Sequence, residues 1–321
     1  ALDKTACPFD LDAFLAQLQS LNERGARRFK FVDRTFNLKV DSGVKILEFF
    51  LQRLDEQLFL HFEVIPDHLP ERLQELIQQF PPGSLQFEIG IQSFNPEVQQ
   101  LISRKQNNQK SKQNLSWLRQ HSQAHIHADL IAGLPGENLE SFAQGFNELC
   151  ALQTHEIQVG ILKRLRGSPI CRHSDTFLMR YNPHPPYNIL STSLMDFGTL
   201  QRLSRFARYW DMIANSGRFS HTLTVLLGDN AFARFMALSD WIYTHAAQTH
   251  KIALERLFIL VYQGLTEALG VPENTAADVL WQDYQLAGLK KRPPFAPDTA
   301  NRGGTQTTPS GICLLYTSPS P

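Results

Sequence analysis

The chain has 321 residues, 42% of them hydrophobic, with 31 Lys+Arg against 31 Asp+Glu and a formal net charge of zero. That balance excludes a disordered chain and removes the general electrostatic attraction toward nucleic acid or anionic membrane. No apolar run reaches the roughly 18 residues of a membrane-spanning helix. The cysteines, Cys7, Cys150, Cys171 and Cys313, show neither disulfide nor zinc spacing, so a reduced cytoplasmic protein is expected.

The first predicted helix is Leu11–Arg24, with Asp10 as N-cap, Gly25 as stop signal, and Leu11, Phe14, Leu15, Leu18 and Leu21 along one face. Five short apolar runs follow as predicted strands: Arg28–Val32, Leu58–Ile65, Leu85–Ile91, Ile126–Ala132 and Ile157–Leu162. The gaps between them hold helical patterns, among them Val44–Leu54, Leu73–Phe80, Pro96–Ile102 (Asn95 as cap) and Leu139–Leu152. Strands alternating with helices predict a parallel α/β sheet, wound as a barrel or a doubly wound layer. After Tyr181 the strand signal ends. The proline-rich stretch Asn182–Tyr187 reads as a stiff linker, and helical patterns follow, with Leu200, Leu203, Ala207, Trp210 and Ala214 on one face, then Ala231–Ala246, Ile252–Leu269 and Thr275–Leu286. Three regions are therefore expected: an α/β core over 1–181, a helical domain over 182–296, and a disordered tail over 297–321. The Gly, Thr, Ser and Pro content of that tail resembles translated vector sequence. The abrupt start predicts a fragment of a longer protein.

Polar residues recur in or just after every predicted strand: Asp33-Arg34, Glu63, Gln92-Ser93, Asp129 and Lys163-Arg164. The carboxyl ends of parallel strands meet on one face, where ligands bind. A buried charge costs several kcal/mol unless it is partnered. A structural hydrogen bond accounts for any one of these residues; the set points to a polar ligand. His125 and His127 are expected to face a helix and the pocket respectively. Like His173 and His184, they read as ordinary core or surface histidines and not as a metal set.

Phe87-Glu88-Ile89-Gly90-Ile91-Gln92-Ser93-Phe94-Asn95, followed by Ile102-Ser103-Arg104-Lys105, resembles the fourth-strand motif of radical S-adenosylmethionine (SAM) enzymes. The form is closest to the branch of oxygen-independent coproporphyrinogen III oxidase and the cobalamin-binding members. Asp129–Glu137 resembles the fifth-strand motif of that branch, and Phe29–Asn37 the second-strand segment of its cobalamin-binding members. The resemblance covers residues 1 to about 175 and implies an incomplete parallel (β/α)6 TIM-like barrel, here followed by an all-helical C-terminal domain.

The resemblance also assigns roles. Glu63 meets the SAM ribose or amino group, Gln92 and Arg104 the ribose hydroxyls and the methionine carboxylate, and Asp129 the other ribose hydroxyl. Ile131 and Gly133 wall the adenine, and Asp33 stands where a glycine-rich loop receives the amino group. Arg104 lies twelve residues after Gln92, far enough to fold back to the same rim, and is expected to be partly solvated there. The family's Cys-x3-Cys-x2-Cys cluster motif is absent, so its cysteines are expected upstream of Ala1, next to the matching flank Leu2-Asp3-Lys4 and Phe9–Asp12. The implied full-length protein uses a [4Fe–4S] cluster to cleave SAM to a 5′-deoxyadenosyl radical, with a reductant such as flavodoxin or ferredoxin. Cobalamin, held by a missing N-terminal domain, is a further option and would lead to methyl transfer or rearrangement. Two alternatives stand beside this: an α/β-barrel lyase or hydrolase using Glu63 and Asp129 as an acid–base pair, and a degenerate SAM-binding protein. The substrate is not readable.

Overall fold

A computed structural model describes residues 10–297. The Cys7 flank and almost all of the expected tail lie outside those residues. The chain divides into two compact units, with the boundary in sequence between Ala207 and Arg208.

In the first unit, each apolar run becomes a strand and each gap a helix: α1 (Leu11–Glu23), β1 (Arg28–Lys30), α2 (Val40–Leu51), β2 (Phe59–Val64), α3 (Glu71–Ile77), β3 (Leu85–Gln92), α4 (Pro96–Leu101), α5 (Asn108–His121), β4 (His125–Ala132), α6 (Leu139–Ala151) and β5 (Glu156–Ile161). The five strands form one sheet in the order β1-β2-β3-β4-β5, and every pair is parallel. This sequential order, without reversal, is the winding of a β/α barrel and not of a doubly wound layer.

The caps explain where helices begin. The Asp10 carboxylate accepts from the backbone N–H groups of Asp12 and Ala13 at 3.0 and 3.1 Å, and Asn95 does the same for Glu97 and Val98 ahead of Pro96. Alternation explains the sheet. In β3, Leu85, Phe87, Ile89 and Ile91 are buried while Gln86, Glu88, Gly90 and Gln92 are half-exposed. In β4, Ile126, Ala128, Leu130 and Ala132 are buried while the residues between them are not. One face of the sheet is thus apolar and joined to aromatic packing: Phe29 lies 5.0 Å from Phe50 of α2, and Phe62 stacks on Phe36 at 3.9 Å. The other face carries the polar side chains.

Three departures from the sequence reading have physical causes. β1 stops at Lys30, and Val32 is 85% exposed, because after Phe31 the chain leaves the sheet. The stretch expected as a stiff linker is instead the turn between two short antiparallel strands, β6 (Arg180–Tyr181) and β7 (Ile189–Ser191). His125 and His127 stand two residues apart on a strand and so share the polar face, rather than dividing between helix and pocket.

α7 (Phe197–Ile213) carries the expected stripe, with Leu200, Leu203 and Trp210 buried. The second unit continues with α8 (Ser220–Leu226), α9 (Ala231–Ala246), α10 (Leu254–Glu267) and α11 (Glu273–Leu286). Phe219 is fully buried and stacks on Phe258 at 4.2 Å. Asp283 of α11, 1% exposed, accepts from the backbone N–H groups of His221 and Thr222 and from the Thr222 hydroxyl, and so caps α8 from across the unit. No helix among the described residues is long and apolar enough to cross a membrane.

Candidate functional site on the polar face of the sheet

Parallel register sets the rows of this face. Lys30 pairs with His61, Glu63 with Glu88, Glu88 with His127, and His127 with Glu156. One step toward the carboxyl ends, Gly90 pairs with Asp129 and Asp129 with Gln158. Within these rows, His61 Nε2 and Lys30 Nζ lie 3.0 and 3.8 Å from the same Glu88 oxygen. His125 Nε2 lies 3.0 Å from Glu156 Oε1. Burial, with the Lys30 charge, holds the His61 imidazole below its ordinary pKa against the pull of Glu88.

Glu63 and Asp129 stand near the carboxyl ends of β2 and β4. Burial raises the Glu63 pKa, and the nearby charges of Glu88 and Asp129 add to the rise, against Arg34 and Lys30. The Glu63 carboxylate has no hydrogen-bond or ion-pair partner among the described residues. Asp129 Oδ1 is buried without a well-formed hydrogen bond; its neighbour at 3.2 Å is His127 Nε2, which also faces Gln158 Oε1 at 2.9 Å.

At the end of β3 the ladder slips: Gly90 faces Asp129, but Gln92, two residues on, faces Leu130. This is a β-bulge, and within it Gln92 takes φ 68°. The bulge turns the Gln92 side chain back over Gly90, where an added Cβ would lie 2.7 Å from its Nε2. Gly90, which the sequence reading left without a role, thus makes the room that Gln92 occupies.

Arg104 is placed by the end of α4. Ser103 adopts φ 58°, and the Ser103 and Arg104 N–H groups close on Gln100 O and Gln99 O at 3.0 and 2.8 Å, a Schellman stop that returns the chain to β3. There Arg104 Nη2 donates to Gly90 O and Nε donates to Gln106 Oε1 at 2.8 Å. The side chain is half-buried, in line with the expected partial solvation, and its guanidinium satisfies a strand carbonyl. Burial holds the guanidinium pKa below its ordinary value, against the opposing charges of Asp67 and Asp129. Nη1 has no hydrogen bond among the described residues.

Glu63, Gln92, Arg104 and Asp129 are therefore brought to one rim. The remaining predicted residues divide. Ile131 is half-buried on the same face, beside Gly160. Gly133 ends β4 with φ 87°, and an added Cβ would meet Ile189 of β7 at 2.6 Å, so the close approach it permits is to a side chain of the protein. Asp33 is exposed, and its carboxylate accepts from Thr35 N and Oγ1 at 3.0 and 2.9 Å, closing a local turn.

Glu137, the last residue of the Asp129–Glu137 stretch, is 1% exposed and accepts from Ser93 Oγ at 2.5 Å, joining the loops after β4 and β3. Burial pushes its carboxyl up to about 7. Its one sequence signal is a carboxylate placed between a tight Pro-Gly turn and an N-capping Asn138.

The described residues do not fit an iron–sulfur cluster. Cys150 sits on α6 with its thiol pushed up to about 12 by burial, Cys171 is exposed in a 3-10 turn, and no group of three metal-binding side chains occurs among the described residues. No reaction step is derived through a cluster.

Residues 8–149 match the radical SAM superfamily, and residues 175–309 match a family described only as a protein of unknown function, DUF4080. The radical SAM match thus covers α1 to α6 with strands β1 to β4 of the sheet. Over 95 residues it is 27% identical to an oxygen-independent coproporphyrinogen III oxidase of Paracoccus denitrificans, a match covering 30% of this chain and 21% of that protein. Over 106 residues it is 30% identical to the enzyme of the same description from Synechocystis sp., covering 33% and 22%. The matched stretches therefore span about a fifth of those relatives. Among solved structures, coproporphyrinogen III oxidase (HemN) from Escherichia coli is similar at 18% identity and TM-score 0.46, covering 63% of this chain and 46% of that one. The radical SAM methyltransferase TsrM from Kitasatospora setae is similar at 14% identity and TM-score 0.48, covering 87% and 56%.

Proposed function

We propose that the polar face of the sheet binds S-adenosylmethionine and that the chain is part of a radical SAM enzyme. One observation carries the reading: Glu63, Gln92, Arg104 and Asp129 share a rim, and there Asp129 Oδ1 is buried with no hydrogen-bond partner among the described residues. Buried polar groups without partners are costly, and a polar ligand removes that cost. When bound, SAM supplies an adenosyl sulfonium. The Asp129 and Glu63 carboxylates accept from ribose hydroxyls or the amino group, Gln92 reaches a hydroxyl from its bulge, and Arg104 offers Nη1 to the methionine carboxylate while Gly90 and Gln106 hold its other nitrogens. Ile131 supplies apolar surface for the adenine.

A cytoplasmic setting and a reductant of flavodoxin or ferredoxin type belong to the same proposal. Use of cobalamin is a finer one, and it rests on the resemblance of Phe29–Asn37, with Asp33 within it, and on the linker pattern.

Calorimetric titration with SAM tests the assignment. Asp129→Asn, which keeps shape but removes the charge, should weaken binding about ten- to a hundredfold, the worth of a charge-assisted hydrogen bond. Wild-type affinity in Asp129→Asn would remove Asp129 from the site.

A further inference from the structure

We propose that His127 is the positioning residue that aims the Asp129 carboxylate, and that its proton makes adenosyl-ligand binding on this face pH-dependent. The inference rests on the reading of this face as the SAM site. His127 and Asp129 project from β4 on the same face, two residues apart. Three acceptors surround the imidazole: Asp129 Oδ1 at 3.2 Å and Gln158 Oε1 at 2.9 Å from Nε2, and Glu156 Oε2 at 3.4 Å from Nδ1. A neutral imidazole has one N–H for these three groups, whereas an imidazolium has two and serves both sides. Only the charged form turns an N–H toward both Glu156 and Asp129, and its charge, with Nε2 3.2 Å from Asp129 Oδ1, holds the Asp129 carboxylate in place to accept from a ribose hydroxyl.

The surroundings favour that form. Around the imidazole stand Glu156 and Gln158 on β5, Asp129 and His125 on β4, Glu88 on the paired position of β3, and His61 on β2 beyond it. Burial opposes protonation of His127, but the close contact and charge of Asp129 and the charge of Glu156 outweigh it and hold its pKa above the ordinary value. The sign follows. Below that pKa the carboxylate is fixed and binding is tight; as pH rises through it, the second N–H is lost and binding weakens.

SAM affinity measured by calorimetry from pH 6 to 9 should fall about tenfold in the wild type as His127 deprotonates, the worth of one charge-assisted hydrogen bond. His127→Gln should bind at the weaker level with a flat profile, and Glu156→Gln should move the fall to lower pH. A purely structural histidine would alter affinity without changing the profile, so the same pH dependence in His127→Gln overturns the proposal. NMR titration of the imidazole separates this inference from the reading beneath it. The His127 pKa should drop in Asp129→Asn whether or not SAM binds, and a value unmoved by that substitution overturns the coupling. A wild-type protein that binds no SAM, with the coupling intact, would overturn the ligand-binding half of the proposal along with the assigned site.

Discussion

Glu137→Gln should make the protein more stable than wild type at pH 8 by about 3 kcal/mol, while leaving the two equal near pH 4. The Glu137 carboxyl is lifted from an ordinary 4.5 to about 7 by burial, against the pull of the Ser93 hydroxyl. Because the pKa is raised in the fold, the stabilising contribution is complete below 4.5 and is lost as pH climbs through 7. At about 1.4 kcal/mol for each pH unit, that interval sets the size of the effect. Glutamine keeps an oxygen for Ser93 Oγ and has no charge to bury, so the variant should not lose stability across the interval. Urea unfolding at both pH values reads the difference. Parallel curves for the two proteins at both pH values would show that Glu137 is not a buried acid.

Arg104→Ala should destabilise the first unit by about 2 to 3 kcal/mol, because it strips Gly90 O of a charged donor and removes the Gln106 contact at the same time. Arg104→Lys should fall between, since one ammonium reaches Gly90 O but does not reproduce the fork that also holds Gln106. Thermal melts check this. An alanine variant melting with the wild type would show that Arg104 anchors neither Gly90 nor Gln106. The two roles of the residue are separable: anchoring belongs to Nε and Nη2, and ligand contact to Nη1.

These results mark where residue patterns were informative. The five strands and most helix caps follow from rules that act locally. Leu85–Ile91 alternates cleanly, Asp10 and Asn95 cap in place, and Pro96 opens α4. Helix α5 escaped notice because it is polar along most of its length and buries only the narrow stripe of Ser111, Leu115 and Leu118. The bulge at Gly90–Gln92 escaped because the sequence alternates straight through it. Only the mismatch with β4 forces the extra residue out, and that mismatch is tertiary. The same holds for the site. Glu63, Gln92 and Asp129 were visible as polar residues near strand ends, but the contacts of Arg104 and the burial of Glu137 depend on what folds over them. Gly133 was assigned to a ligand when its missing Cβ is required by Ile189, 56 residues away in the chain.

The central claim is that one rim of the sheet is a SAM site, and a crystal structure of this chain grown with S-adenosylhomocysteine tests it most directly. The account predicts the ribose hydroxyls within hydrogen-bond reach of Asp129, Gln92 or Glu63, the amino-acid carboxylate on Arg104 Nη1, and the adenine against Ile131. Ligand density elsewhere on the molecule, with the Asp129 and Glu63 carboxylates still unpartnered, would contradict it.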